Sequence, residues 1–225
     1  IPIMLRDGTI TYADVFRPDA AGEFPGLLQR TPYSKDSPLS RTSHLDAVRA
    51  ATTGYGVVIQ DVRGRHSSDG EFYTFVNETD DGYDSVEWVA SQSWCTGKVG
   101  MYGGSYVGAT QWLAARSKHP SLASIAPCVT ASDYHEGWTW QGGAFELGFN
   151  LSWSMSLTAS NWPTLSRRLL LQPEALDTLV AAKDDLNRGY AHLPMQDLPD
   201  LRGSLAPYYY DWLDHPEYDD YWKRL

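Results

Sequence analysis

The sequence predicts an α/β protein: a mostly parallel sheet covered by helices on both faces, followed by a helical, aromatic-rich half. Three observations carry this reading. Short apolar strand segments alternate with helical segments through the first 130 residues, joined by short connections. Residues 1–130 hold sixteen valines and isoleucines, whereas residues 131–225 hold one, Val180. The later part carries six of the nine tryptophans and seven of the fourteen tyrosines instead. Branched aliphatic side chains suit a pleated surface, so the sheet is expected to end near residue 130.

Taken in order, Asp7-Gly8 marks a turn, and residues 10–16 alternate as an exposed antiparallel strand. Residues 24–28 run into Arg30-Thr31-Pro32-Tyr33, a short strand that proline stops. Residues 45–51 read as a helix ended by Gly54-Tyr55-Gly56. The run 57–62 has the composition of a strand buried on both faces. Residues 80–91 form a helix with acids in its first turn, where the helix dipole favours them. A strand over 99–102, a helix over 106–117 and a further buried strand over 122–129 follow. Helices are then expected at 146–156, 174–189 and 205–214, separated by Trp-Pro, Leu-Pro and His-Pro breaks.

Composition narrows the function classes. The chain has 225 residues, 42% of them hydrophobic, and 28 acids against 18 bases give a formal charge of −10. A surface that acidic repels phosphate backbones, so nucleic acid is not an expected partner. No apolar run reaches the ~18 residues of a membrane-spanning helix. Two cysteines, Cys95 and Cys128, cannot build a disulfide scaffold. There is no H-E-x-x-H, no paired C-x-x-C and no P-loop lysine, so neither a metal nor another cofactor is expected. The opening Ile1-Pro2-Ile3 reads as a clipped or processed terminus, from which targeting is not judged.

The sharpest site candidate is the turn Gly103-Gly104-Ser105-Tyr106-Val107-Gly108, between the strand ending at 102 and the helix starting at 106. A serine at the tip of such a turn is forced into a strained backbone that lifts its hydroxyl above the sheet. The amide of Tyr106 then stands at the helix N-terminus, where it can stabilise an oxyanion. The general nucleophile motif is G-x-S-x-G, and here the last glycine comes one position late, at Gly108. Ser105 as a mere helix N-cap is the bland alternative. A dinucleotide fingerprint is another, but a side chain at its middle glycine would obstruct a pyrophosphate.

With Trp94-Cys95-x-Gly97-x-Val99-Gly100-Met101 before it, this turn resembles the catalytic domain of the cocaine-esterase-like and X-Pro dipeptidyl-peptidase hydrolases. Arg6-Asp7-Gly8, Arg30-Thr31-Pro32-Tyr33, Gln60-Asp61-Val62-Arg63-Gly64 and Asp81-Gly82-Tyr83-Asp84 running to Glu87-Trp88 agree in the same order. The resemblance implies an α/β-hydrolase sheet, incomplete within this chain, over residues 1–131, and an inserted helical cap over 132–225. It implies that Ser105 is the acylated nucleophile and that the Tyr33 hydroxyl joins the Tyr106 amide in the oxyanion hole. It also implies that Trp138 and Trp153 line an acyl pocket; packing the core of the cap is their ordinary alternative. Asp61, Arg63 and Gly64 read as structural: a strand end and an ion pair beneath the site.

A serine hydroxyl needs a histidine to take its proton and an acid to orient that histidine, in the chain order Ser, Asp or Glu, His. After Ser105 the histidines are His119, His135, His192 and His215. His119 reads as a helix-end cation, His192 and His215 flank proline breaks, and His135 as base would need an order the fold does not use. The strands that carry the acid and base are therefore expected outside these residues, on the remainder of the same hydrolase or on a second chain; the resemblance also implies a later β-sandwich domain there. The expected activity is serine acyl hydrolysis of a small-molecule ester or amide with a bulky apolar acyl group. X-Pro dipeptidyl-peptidase activity, acylase activity on amino-acid esters or β-lactams, and an inactive ligand-binding fragment are the alternatives.

Overall fold

Six strands build the sheet: β1 (Pro2–Met4), β2 (Ile10–Phe16), β3 (Phe24–Thr31), β4 (Gly56–Asp61), β5 (Cys95–Gly104) and β6 (Leu122–Cys128). Their spatial order is β1-β2-β4-β3-β5-β6. In this computed structural model residues 1–172, 174–202 and 205–225 are described, and the chain divides into two units, 1–132 and 133–225. Strands β4, β3, β5 and β6 run parallel to one another, and β2 and β1 extend the sheet antiparallel beyond β4. Every residue of β4 is buried, as its apolar run requires. β1 was not expected; Ile3, fully buried, pins it across from Thr11.

Helices cover both faces. Side chains alternate along a strand, so Val58 faces one layer while Val57 and Ile59 face the other. On the first side Val58, Leu28 and Met101 pack with Val86 and Val89 of α3 (Glu78–Ala90) and Ala114 of α4 (Tyr106–Arg116). On the second, Val57, Ile59 and Tyr102 pack with Ala47 and Ala50 of α2 (Ala47–Thr52). A short α1 (Pro38–Thr42) precedes α2, with Pro38 in its first turn, where the missing N–H leaves no bond unmade.

Residues 122–129 read as a buried strand; among the described strands β6 pairs with β5 alone, and within these residues Ala123, Ser124, Ala126 and Cys128 are exposed. The apolar run alone does not determine how many faces of a strand are covered. Val129, just beyond it, is 89% exposed.

The second unit holds a hairpin, β7 (Trp140–Gln141) and β8 (Ala144–Phe145), turning at Gly142-Gly143 where no strand was expected. Helices α5 (Leu147–Ser160), α6 (Trp162–Leu169), α7 (Glu174–Asp184), α8 (Leu186–Tyr190), α9 (Pro207–Asp214) and α10 (Asp220–Lys223) follow. The single helix expected over 174–189 is therefore two, broken at Asp185. Pro163 does not stand in a gap between helices; it lies in the first turn of α6. The core of the unit is aromatic: Tyr208, Tyr209, Trp212 and Trp222 are buried, with Leu151 and Met155 of α5. Among the described residues, no helix is long and apolar enough to cross a membrane.

Candidate active site

Ser105 sits between β5 and α4 with φ 58° and ψ −131°, a positive-φ conformation outside the left-handed helical region, of a kind that costs a non-glycine residue about 1–3 kcal/mol. Its amide donates to the carbonyls of Cys128 (3.0 Å) and Val129 (3.1 Å), which hold the turn in that strained shape. Two glycines make room. Gly103 has φ 127°, and a Cβ there would lie 2.4 Å from Cγ1 of Val107. A Cβ on Gly108 would lie 2.6 Å from Cγ2 of Thr130. The glycine that comes one position late is thus required by a threonine beyond β6, while Val107 occupies the position of the general motif's glycine.

The Tyr33 hydroxyl lies 3.2 Å from Oγ of Ser105, brought there by the turn that ends β3. Tyr106 is the first residue of α4, so its amide has no carbonyl one turn back in the helix to donate to. A tyrosine hydroxyl, a helix N-terminal amide and a serine hydroxyl therefore converge from the ends of β3 and β5. Around them lies a cavity of about 540 Å³, lined in part by Gln29, Leu39, His44, Val107 and Val129. Such a cavity can enclose a drug-sized apolar group.

The Tyr106 side chain points away from this chemistry. Its ring is fully buried and stacked on Phe75 at 5.2 Å; its hydroxyl donates to Oε1 of Glu78 (3.0 Å) and accepts from the amide of Phe75 (2.8 Å). Burial, with the Glu78 carboxylate beside it, raises the phenol well above its ordinary range. Glu78 in turn meets Arg30 of β3 at 2.7 Å. Burial pushes the Glu78 carboxyl up against the opposing pull of the Arg30 guanidinium. Thr110 of α4 donates to the Arg30 carbonyl at 3.2 Å, so β3, α3 and α4 are tied together under the Ser105 turn.

Asp61 accepts from the Lys35 amide (2.7 Å) and the Ser67 hydroxyl (2.7 Å). Arg63 makes the ion pairs instead, with Asp81 and Asp7 at 2.6 Å each. The histidines take other parts. Where a helix-end cation was expected, Nδ1 of His119 accepts from the Ser121 amide (3.1 Å), and burial lowers its pKa. His135 contacts the Pro216 carbonyl at 2.8 Å, and His215 pairs with Asp219 at 2.6 Å, both within the second unit. His44 was not among the candidates; its Nδ1 lies 2.9 Å from the Ser43 hydroxyl, and it lines the Ser105 cavity. Gln29 was also missed, although a glutamine in an apolar strand was a visible signal.

Trp138 and Trp153 meet edge-on at 6.0 Å in the second unit, both against Phe149, and Trp153 also stacks with Trp212. Trp138 is buried and Trp153 is half-buried. Among the described residues, no group of three or more His, Cys, Asp or Glu side chains is placed to hold a metal ion.

The model of the X-Pro dipeptidyl-peptidase (S15) family matches residues 7–225. The cocaine esterase of Rhodococcus sp. (strain MB1 Bresler) is 37% identical, aligned over all of this chain and 40% of its own length. The chain thus spans about two fifths of that relative. A CocE/NonD family hydrolase from Staphylococcus aureus superposes with a TM-score of 0.74 at 23% identity, covering 100% of this chain and 37% of that one. An α-amino acid ester hydrolase superposes with a TM-score of 0.65 at 25% identity, over 100% of this chain and 38% of that one. The described residues hold six strands of an α/β-hydrolase sheet, which is incomplete within them, accompanied by a helical unit.

Proposed function

The chain belongs to the X-Pro dipeptidyl-peptidase (S15) family of hydrolases, and on that premise we propose that it is the nucleophile-bearing part of a serine acyl hydrolase acting on esters through Ser105. The observation that carries the proposal is the strained Ser105, with the Tyr33 hydroxyl 3.2 Å from its Oγ at the start of α4. In the acylation step, Oγ of Ser105 bonds to the substrate carbonyl carbon, and the carbonyl π pair moves onto oxygen. The Tyr33 hydroxyl and the Tyr106 amide donate to that oxyanion, aided by the positive end of α4. On collapse the bond to the leaving alcohol breaks, and the serine proton reaches that alcohol through a histidine base. Water then cleaves the acyl-enzyme by the same route, restoring Ser105 and releasing the acid. The base and its acid are assigned to parts of the hydrolase outside these residues.

An ester with a bulky apolar acyl group suits the apolar walls Leu39, Val107 and Val129 of this cavity. The test uses the full-length polypeptide and a fluorophosphonate. Label on Ser105, absent in Ser105→Ala together with hydrolysis of p-nitrophenyl benzoate, is the expected outcome. Label elsewhere, or full activity of the variant, overturns the proposal. Faster turnover of Ala-Pro-p-nitroanilide than of the benzoate would assign peptidase action instead.

A further inference from the structure

The Tyr33 hydroxyl is useful only where its backbone puts it, and a second segment, residues 61–68, grips that backbone at three points. The Val62 amide donates to the Thr31 carbonyl at 3.0 Å. The Lys35 amide donates to the Asp61 carboxylate at 2.7 Å. Between them, the Pro32 carbonyl accepts from Nε of Arg65 at 2.9 Å and lies 3.0 Å from Nε2 of His66.

That middle grip acts on one peptide plane. The Pro32 carbonyl and the Tyr33 amide belong to the same planar unit. The oxygen end is held by Arg65 and His66; the N–H end donates to Oγ1 of Thr31 at 3.0 Å. A plane held at both ends cannot rotate, and its orientation sets the direction in which the Tyr33 side chain leaves the backbone.

The two gripping residues are built for the purpose. Arg65 is 2% exposed, with its guanidinium 5.2 Å over the Phe72 ring. His66 has φ 47°, a left-handed conformation in which histidine is over-represented among side-chain-bearing residues. A carbonyl oxygen only accepts, so Nε2 of His66 must carry the hydrogen. Burial, and then the neighbouring Arg65 charge, hold the ring below its ordinary pKa, which favours the neutral Nε2–H form.

We propose that His66, together with Arg65, is a positioning residue that fixes the Pro32–Tyr33 peptide plane and thereby keeps the Tyr33 hydroxyl at Ser105. The inference rests on Tyr33 being an oxyanion donor. Its test, in the full-length polypeptide, compares His66→Gln, which keeps an N–H donor on a side chain of similar reach, with His66→Met, which does not. With p-nitrophenyl benzoate, His66→Met is expected to lower kcat by about 10- to 100-fold with KM changed by less than about twofold, and His66→Gln to recover most of the loss. In a Tyr33→Phe background the same His66→Met change is expected to have almost no further effect, because the hydroxyl it positions is gone. A His66→Met enzyme at the parental rate overturns the inference. So does a loss that persists undiminished beside Tyr33→Phe, or a His66→Gln enzyme as slow as His66→Met. If neither variant folds, the role of His66 lies in folding and the inference falls. Activity surviving in Ser105→Ala, by contrast, overturns the nucleophile assignment and takes this inference with it.

Discussion

Arg30 and Glu78 meet at 2.7 Å with both side chains almost wholly removed from solvent, beneath the helix that begins just after Ser105. A buried pair is costly to break because the survivor keeps its charge and loses its partner. Glu78→Ala is expected to lower unfolding free energy by about 3–5 kcal/mol in urea titrations. Asp197→Ala, which removes the exposed pair with Arg202, is expected to change it by about 1 kcal/mol or less. Equal effects of the two substitutions would show that the buried pair is not a structural tie.

Tyr33→Phe removes one oxygen and little packing. The full-length variant is expected to lose roughly 10²–10³ in kcat toward an activated ester, the range for one oxyanion donor, with KM nearly unchanged. A rise in KM at constant kcat would make Tyr33 a substrate-binding residue instead.

If the aromatic cluster of the second unit receives the acyl group, Trp153→Ala should discriminate between substrates. KM for a benzoyl ester is expected to rise on the order of tenfold over that for an acetyl ester, equivalent to about 1.4 kcal/mol of lost apolar contact. Equal changes for both esters would assign Trp153 to the packing of its own unit.

The ion pair between Arg63 and Asp7 gives a pH signature. Arg63 and the Thr9 amide hold the Asp7 carboxyl at about 2, below its ordinary 3.8. Because the folded value is depressed, the stabilisation is present above the unfolded value and is lost as pH falls toward about 2. Asp7→Asn is expected to reduce the loss of melting temperature between those two values. The effect should be small, since Asp7 is half exposed. A variant with the parental acid profile would show that this pair contributes nothing measurable.

The fold was legible where local composition and tertiary environment agree. Val57–Val58–Ile59 could hardly be other than a central strand, and the acids opening α3 announce a helix N-terminus. The exposure of β6 was not legible, because its residues resemble those of a covered strand and only its neighbours decide the matter. The break at Asp185 and the hairpin at Gly142-Gly143 are short local features inside windows dominated by longer patterns. At the site, Ser105 was readable because a strained turn demands glycines around it, and these are visible in sequence. Gln29 carried a signal, a glutamine inside an apolar strand, but His44 and His66 did not, since each reaches the Ser105–Tyr33 region through loop packing that no spacing along the chain encodes.

The two carbonyls that receive the Ser105 amide proton belong to Cys128, at the end of β6, and to Val129 just beyond it. Among the described strands, β6 has a partner on one side only. The Ser105 turn is therefore tied to a strand that, among the described ones, leaves one side unpaired. A strand laid along that side would stiffen the mounting of the Ser105 hydroxyl without touching it.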